Sequence, residues 1–267
     1  VIQYLSIALL LLLAATHGMG QTVKHGSRIE VIAHRCLSDG YPENTLLALQ
    51  RAIELRVDAV EIDIWRTTDD SLIVFHDRDT ERLTGVKRIV PESSASELRG
   101  LSLPQDQRIP YLSEILYLLP PDMKIYIEIK CCWEPGRMGS VFPMLKREID
   151  KRHIQSQVVI ISFNPESLKE SKAYMPNIPA LLLGYEQGRE NEMVSKAMAY
   201  GIDGLDVHYN LVNKTLLDCM KPTNLSLFIW TLDDPAKAVE LVTRFPSIRG
   251  VTTNRPDAIK KAFVAVE

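Results

Sequence analysis

The stretch Ala59-Val60-Glu61-Ile62-Asp63-Ile64-Trp65-Arg66 alternates apolar residues with two carboxylates, and Leu72-Ile73-Val74-Phe75-His76 follows after a polar break, Thr67–Ser71. Residues two apart share a face of a strand, so Glu61 and Asp63 point the same way. A turn centred on Asp69-Asp70 makes the two runs an antiparallel hairpin and sets His76 opposite Asp63.

Outward from this hairpin the chain repeats one unit, a short apolar strand followed by a helical segment. The pattern predicts strands at Ile29–His34, Ala59–Ile64, Ile125–Lys130, Val158–Ser162, Ala180–Gly184, Gly204–Val207, Leu225–Thr231 and Arg249–Thr252. Helical periodicity marks Thr45–Leu55, Ser113–Leu118, Phe142–Lys151, Pro165–Tyr174, Asn191–Tyr200, Asn213–Met220 and Pro235–Arg244. Strand-then-helix units imply a parallel sheet with right-handed crossovers, and eight of them close a (β/α)8 TIM barrel. An open doubly wound sheet is disfavoured, because no glycine-rich phosphate loop follows the first strand. The polar excursion from Arg78 to Tyr111 is long enough to form, with the hairpin, a small insertion over the C-terminal mouth.

The chain has 267 residues, 46% hydrophobic and 24% charged, which suits one large α/β domain, here 28–264. A formal charge of -3 gives no global field for a nucleic acid partner. Residues 1–20 differ from the rest. Ile7–Ala15 is unbroken apolar sequence, short for a membrane span and suited to a cleaved export signal ending near Gly18-Met19-Gly20. That reading places the protein in the periplasm or outside the cell; a membrane anchor is the alternative. Cys36, Cys131, Cys132 and Cys219 form no CxxC pattern, and sequence alone does not choose among disulfides and buried thiols.

Polar residues that break the apolar strands collect at their C-terminal ends, where barrel enzymes place their chemistry. They are His34 and Arg35 after the first strand, Glu61 and Asp63 in the second, and Glu128 and Lys130 in the third. Each alone has a structural explanation, such as a satisfied histidine or a salt-bridged pair. Together, three inward carboxylates would repel one another unless a cation neutralised them. Oxygen-only ligands point to one hard divalent cation, Mg²⁺ or Ca²⁺, at Glu61, Asp63 and Glu128. Arg35 and Lys130 beside that cation match a phosphate oxyanion. His34 and His76 then supply an acid and a base titrating near neutral pH.

At these residues the chain resembles the glycerophosphodiester phosphodiesterase family. The likeness runs through Ala33-His34-Arg35, Pro42-Glu43-Asn44-Thr45, Glu61-Ile62-Asp63, Phe75-His76-Asp77 and Glu128-Ile129-Lys130, then Ile109–Leu112, Ser162-Phe163, Trp230-Thr231 and Thr253–Pro256. It spans roughly Arg28 to Phe263. The resemblance implies metal-dependent hydrolysis of a glycerophosphodiester to glycerol 3-phosphate and an alcohol. It makes Glu61, Asp63 and Glu128 the metal ligands, His34 the acid and His76 the base. Arg35 and Lys130 would hold phosphate, Glu43 would line the site, Trp230 would pack on the glycerol, and 78–111 would be the family's insertion. Cys36 stands where the family has glycine, so a backbone angle that cysteine disfavours is expected there, with a reshaped pocket or a thiol near the phosphate. Asp69-Asp70 replaces the family's Asp-Gly turn.

Two rivals share parts of this reading. A lysophospholipase D would take a lysophospholipid, with the N-terminal segment holding the barrel near a membrane. A non-catalytic phosphate- or polyol-binding barrel would bind without turnover. An amidohydrolase-type barrel would need His-x-His on the first strand, which ends His34-Arg35 instead.

Overall fold

A computed structural model describes residues 28–130 and 141–265. Its strands are β1 (Glu30–Ala33), β2 (Ala59–Arg66), β3 (Leu72–Val74), β4 (Lys124–Ile129), β5 (Val158–Ser162), β6 (Ala180–Gly184), β7 (Gly204–His208), β8 (Ser226–Trp230) and β9 (Ile248–Thr253). All but β3 pair in parallel, each with the next, and β9 pairs with β1 to close the ring. A helix follows each ring strand in turn, from Leu46–Glu54 after β1 to Pro256–Val264 after β9. The expected (β/α)8 barrel is the fold, with a last helix, Pro256–Val264, beyond the seven that the sequence periodicity marks.

Strand alternation divides the apolar residues into two layers. Val60, Ile62 and Ile64 of β2 face outward and pack with the helices, as do Ile125, Ile127 and Ile129 of β4. Ala59, Tyr126, Ile161, Leu181 and Leu183 face inward, with Phe228 and Trp230 against them. Gly250 makes room for that filling: a Cβ there would lie 2.6 Å from the Phe228 ring. Glu61, Asp63 and Glu128 sit on the inward face above this plug, because their parity matches that of Ala59 and Tyr126.

The hairpin forms with a register one residue from expectation. Ile64 faces Val74, and the Phe75 N–H donates to the Asp63 carbonyl at 3.0 Å, so Phe75 rather than His76 lies opposite Asp63. The turn holds five residues, Thr67–Ser71, not an even number. Asp70 takes up the extra residue at φ 59°, a left-handed angle that aspartate tolerates. An angle that glycine would meet without strain is met here by a short polar side chain. His76 lies just past β3, in the bend that follows.

β1 and β3 occupy one edge of β2 in tandem. Ile32 and Ala33 pair with Ala59 and Val60, the Cys36 N–H takes the Glu61 carbonyl at 2.7 Å, and Phe75 takes that of Asp63. β1 ends one residue earlier than the pattern suggested, and His34 opens a turn while its N–H still bonds Thr253 O at 2.9 Å.

The 78–111 excursion folds into two short helices, Glu81–Thr84 and Ala95–Arg99, with Val90, Leu98 and Ile109 fully buried. It is fastened to the hairpin turn by Asp69, which accepts from the Ala95 N–H at 3.0 Å. Arg99 lies 4.2 Å over the Tyr111 ring and pairs with Glu114 at 2.6 Å, holding its other end. Cys36 and Cys219 are free thiols; Cys131, Cys132 and residues 1–20, where an export signal or a membrane anchor is expected, lie outside the described residues. Among the described residues no helix is long and apolar enough to cross a membrane.

Candidate active site

Glu61, Asp63 and Glu128 are 4%, 1% and 8% exposed, and their carboxylates offer oxygens within 4.8 Å of one another. Asp63 and Glu128 are register partners on adjacent strands. Lys130, just past β4, reaches Asp63 at 3.0 Å and Glu128 at 2.8 Å. Asn44 donates its amide to Asp63 at 2.8 Å. Among the described residues no lysine or arginine side chain pairs with Glu61: it accepts the Arg35 backbone N–H at 2.9 Å, and His34 Nε2 is 3.9 Å away.

Charge compensation is therefore uneven. Burial, with Asp63 and Glu128 alongside, pushes the Glu61 carboxyl well above the usual carboxylate range. Burial raises Glu128 to about 7 against the pull of Lys130. Burial acts on Asp63 too, but Lys130, His76, Arg35 and the Asn44 amide together hold it far below the usual range. One lysine serves two carboxylates and leaves the third with a proton or a debt of charge. Three buried carboxylates with oxygen-only donors fit a hard divalent cation, which would complete that balance.

Both histidines are tethered through Nδ1. His76 Nδ1 is 2.7 Å from Asp77 Oδ1, and Arg82 fixes Asp77 from the far side. His34 Nδ1 is 2.7 Å from Asn254 Oδ1. The Asn254 amide nitrogen donates to the Asp233 carboxylate at 2.7 Å, so its oxygen is the atom that faces the ring. His34 must then donate from Nδ1, which leaves Nε2 toward the acidic cluster. Burial lowers the pKa of both rings; Arg35 lowers His34 further, while Asp63 opposes the shift at His76.

Arg35 and Cys36 lie at φ 52° and 68°, the left-handed region that glycine favours. The turn they form aims Arg35 along the acidic cluster, 3.9 Å from Asp63. Arg35 Nε is buried with no hydrogen-bond partner among the described residues. Glu43 stands behind it, bonding Arg35 at 2.9 Å and Arg82 at 2.6 Å. Thr45 completes this segment as N-cap of the Leu46–Glu54 helix. The Cys36 thiol is fully buried in the outer apolar layer, where burial and the two nearby carboxylates raise its pKa. It fills core volume and does not line the cleft.

The cleft above these groups has a volume of about 320 Å³, in the range of small-molecule sites. His34, Arg35, Glu61, His76, Glu128 and Lys130 line one side; Phe163, Leu183, Tyr185, Asp206 and Trp230 line the other. Trp230 stands edge-on to Phe163 at 5.6 Å and donates its indole N–H to the Asp206 carbonyl at 2.9 Å. No residue of the 78–111 excursion lines the cleft; Arg82 reaches it only through Glu43 and Asp77.

Sequence reasoning missed Asn44, Asp77, Asn254, Asp233 and Asp206. Asp77, Asn44 and Asn254 lie inside the motifs that carry the resemblance, but nothing in those motifs gives them a role. Asn254 is 220 residues from His34, and nothing local signals the pairing. Asp206 carried a signal, the one charge in the apolar run Gly204-Leu205-Asp206-Val207.

The model of the glycerophosphoryl diester phosphodiesterase family matches residues 34–258. The chain belongs to that family. It is therefore a phosphoric diester hydrolase. It is 30% identical over 241 residues to the glycerophosphodiester phosphodiesterase of Caldanaerobacter subterraneus subsp. tengcongensis, covering 86% of this chain and 95% of that one. It is 27% identical to the Bacillus subtilis enzyme of the same name, over 88% of this chain and 86% of the other. The crystal structure of the Thermotoga maritima glycerophosphodiester phosphodiesterase superposes with a TM-score of 0.74 at 26% identity, covering 88% and 98% of the two chains. A phosphodiesterase of Oleispira antarctica, solved with its product sn-glycerol-3-phosphate, gives a TM-score of 0.79 at 24% identity, covering 88% and 96%.

Proposed function

We propose that this phosphodiesterase hydrolyses small glycerophosphodiesters to glycerol 3-phosphate and an alcohol, with one Mg²⁺ or Ca²⁺ held by Glu61, Asp63 and Glu128. The buried, under-compensated carboxylate trio between two Nδ1-tethered imidazoles carries this reading. Bound there, the cation would supply Lewis-acid stabilisation of charge on the phosphoryl oxygens.

The chain's own residues do the rest. Arg35, preset by Glu43, and Lys130 hold the phosphate oxygens, and the Arg35 Nε, without a hydrogen-bond partner among the described residues, is a donor ready for one of them. His76 Nε2 removes the proton of the attacking hydroxyl, and Asp77 at Nδ1 stabilises the imidazolium that results. His34 Nε2 delivers a proton to the leaving alcohol oxygen, with the Asp233–Asn254 chain fixing its ring. Phe163 and Trp230 offer the apolar wall for the glycerol carbons. The sn-glycerol-3-phosphate product bound to the Oleispira relative supports a glycerophosphodiester substrate. Export to the periplasm or beyond is proposed on the apolar run Ile7–Ala15 alone.

The test is a panel of glycerophosphocholine, glycerophosphoethanolamine, glycerophosphoglycerol and lysophosphatidylcholine, each with chelator, Mg²⁺ or Ca²⁺. Turnover of the deacylated diesters only with added metal is the expected outcome. Full activity after exhaustive chelation, or binding without turnover, would defeat it; a preference for lysophosphatidylcholine would move the substrate to lysophospholipids.

A further inference from the structure

β7 brings a carboxyl into the apolar filling of the barrel. Asp206 lies in register between Leu183 of β6 and Phe228 of β8, both members of the inward layer. It is 1% exposed, and its Oδ1 has no hydrogen-bond partner among the described residues. It nevertheless lines the same cleft as His34, His76 and Glu128. A buried polar atom without a partner is destabilising, and an apolar residue would suit this layer better. Asp206 is also outside the carboxylate group whose oxygens lie within 4.8 Å of one another, and two ring strands, β5 and β6, separate β7 from β4. The metal reading therefore does not explain it.

We propose that Asp206 is a specificity-determining residue that hydrogen-bonds a hydroxyl of the substrate's glycerol. The arrangement around it selects that ligand. Arg35 and Lys130 grip phosphate on the opposite side of the cleft, and a carboxyl facing phosphate directly would not bind it. Trp230 is locked beside Asp206 by its indole bond to the Asp206 carbonyl at 2.9 Å. A carbon chain laid on that indole would meet a polar atom at its end. The terminal hydroxyl, furthest from the phosphate ester, is the one that can extend to the floor of the cleft. Burial, with Glu128 adding to it, pushes the Asp206 carboxyl up to about 8. A hydroxyl bonds a carboxyl in either protonation state, whereas a cationic head group would need the ionised form.

The inference rests on the glycerophosphodiester reading, and the experiment separates the two. Parent protein, Asp206→Leu and Asp206→Asn are assayed on glycerophosphocholine and on its analogue lacking the terminal hydroxyl. Product binding is measured in parallel by calorimetry, with sn-glycerol 3-phosphate and with propane-1,2-diol phosphate. The parent should favour the intact glycerol by about 10-fold or more in kcat/KM. Asp206→Leu should reduce that preference to within about 3-fold, chiefly through KM, with Asn retaining most of it. The binding data should follow the same order. Unchanged hydroxyl discrimination in the Leu variant would overturn the assignment. So would a loss that tracks the choline head group, read against glycerophosphoglycerol, instead of the hydroxyl. If the Leu variant does not fold, Asp206→Ala decides: a hydroxyl discrimination in Ala as large as the parent's refutes the role, and a discrimination reduced to within about 3-fold supports it. Failure of the underlying reading looks different, since no diester would then be turned over by the parent.

Discussion

Replacing Glu61 by Gln should stabilise the metal-free protein and remove its response to metal. The amide keeps an oxygen for the Arg35 N–H, now 2.9 Å from the carboxylate, so the turn carrying His34 stays supported. Two like charges 4.8 Å apart repel by about 3.5 kcal/mol at an effective dielectric of about 20, and Glu61 faces both Asp63 and Glu128. Protonation limits the penalty. At pH 7, keeping the proton on a carboxyl whose ordinary pKa is 4.5 costs about 3.4 kcal/mol, which caps what Glu61 takes from stability. With Arg35 offsetting part of this, the gain in chelator should be about 1–3 kcal/mol, or about 2–10 °C in Tm for a chain of this size. The sign with pH follows from the raised pKa. Above about 4.5 the unfolded chain has released a proton that the folded one retains, so stability falls as pH rises. That slope should be shallower in the Gln variant. Metal at about 100 times its Kd should add about 2.7 kcal/mol to the parent and far less to the variant. Thermal unfolding across pH 5–8, with chelator or with Mg²⁺ or Ca²⁺, reads all three. No gain in chelator, or an undiminished metal response, would refute the account of the trio.

His34→Ala and His76→Ala should each lower turnover by about 10²-fold or more while the melting temperature holds, and near-parental rates in either would strip that ring of its role. Asp77→Ala removes the carboxylate that raises the His76 pKa, so the acid limb of kcat/KM should move to lower pH as the maximum falls. An unmoved limb in the pH–rate profile would detach His76 from it. Cys36→Gly relieves a left-handed angle of 68° but empties a fully buried site, so calorimetry should show a stability change within about 1 kcal/mol of zero. A loss of more than about 3 kcal/mol would mean that the thiol's packing outweighs the strain.

The barrel was legible because each ring strand is a compact apolar run and a helical segment follows it. Thr45, Asn164, Asn213 and Asp234 cap helices at the boundaries that the pattern implied. The acidic cluster was legible because parity alone puts Glu61 with Asp63, and Glu128 with Lys130. Parity does not fix turn length, and the five-residue turn displaced His76 by one position from its expected partner. The groups that orient the imidazoles were hidden for a different reason. Asn254 meets His34 only because β9 closes on β1, a contact between opposite ends of the chain, and Asp233 acts on the ring only through Asn254. Cys36 was read correctly as occupying a glycine-like angle, but the direction of its thiol depended on the layer behind the turn.

The tandem use of one β2 edge bears on how this reaction centre tolerates change. Successive carbonyls of a single strand anchor the segments that deliver both imidazoles, so their spacing is set by the ladder's fixed repeat. A one-residue slip of either segment would reverse its side chains and carry a ring out of the barrel. Insertions beyond Arg78 leave that spacing untouched. Lengthening the excursion between Arg78 and Tyr111 should therefore cost the reaction centre little, whereas lengthening the short path from Ala33 to Cys36 or the Thr67–Ser71 turn should disrupt it.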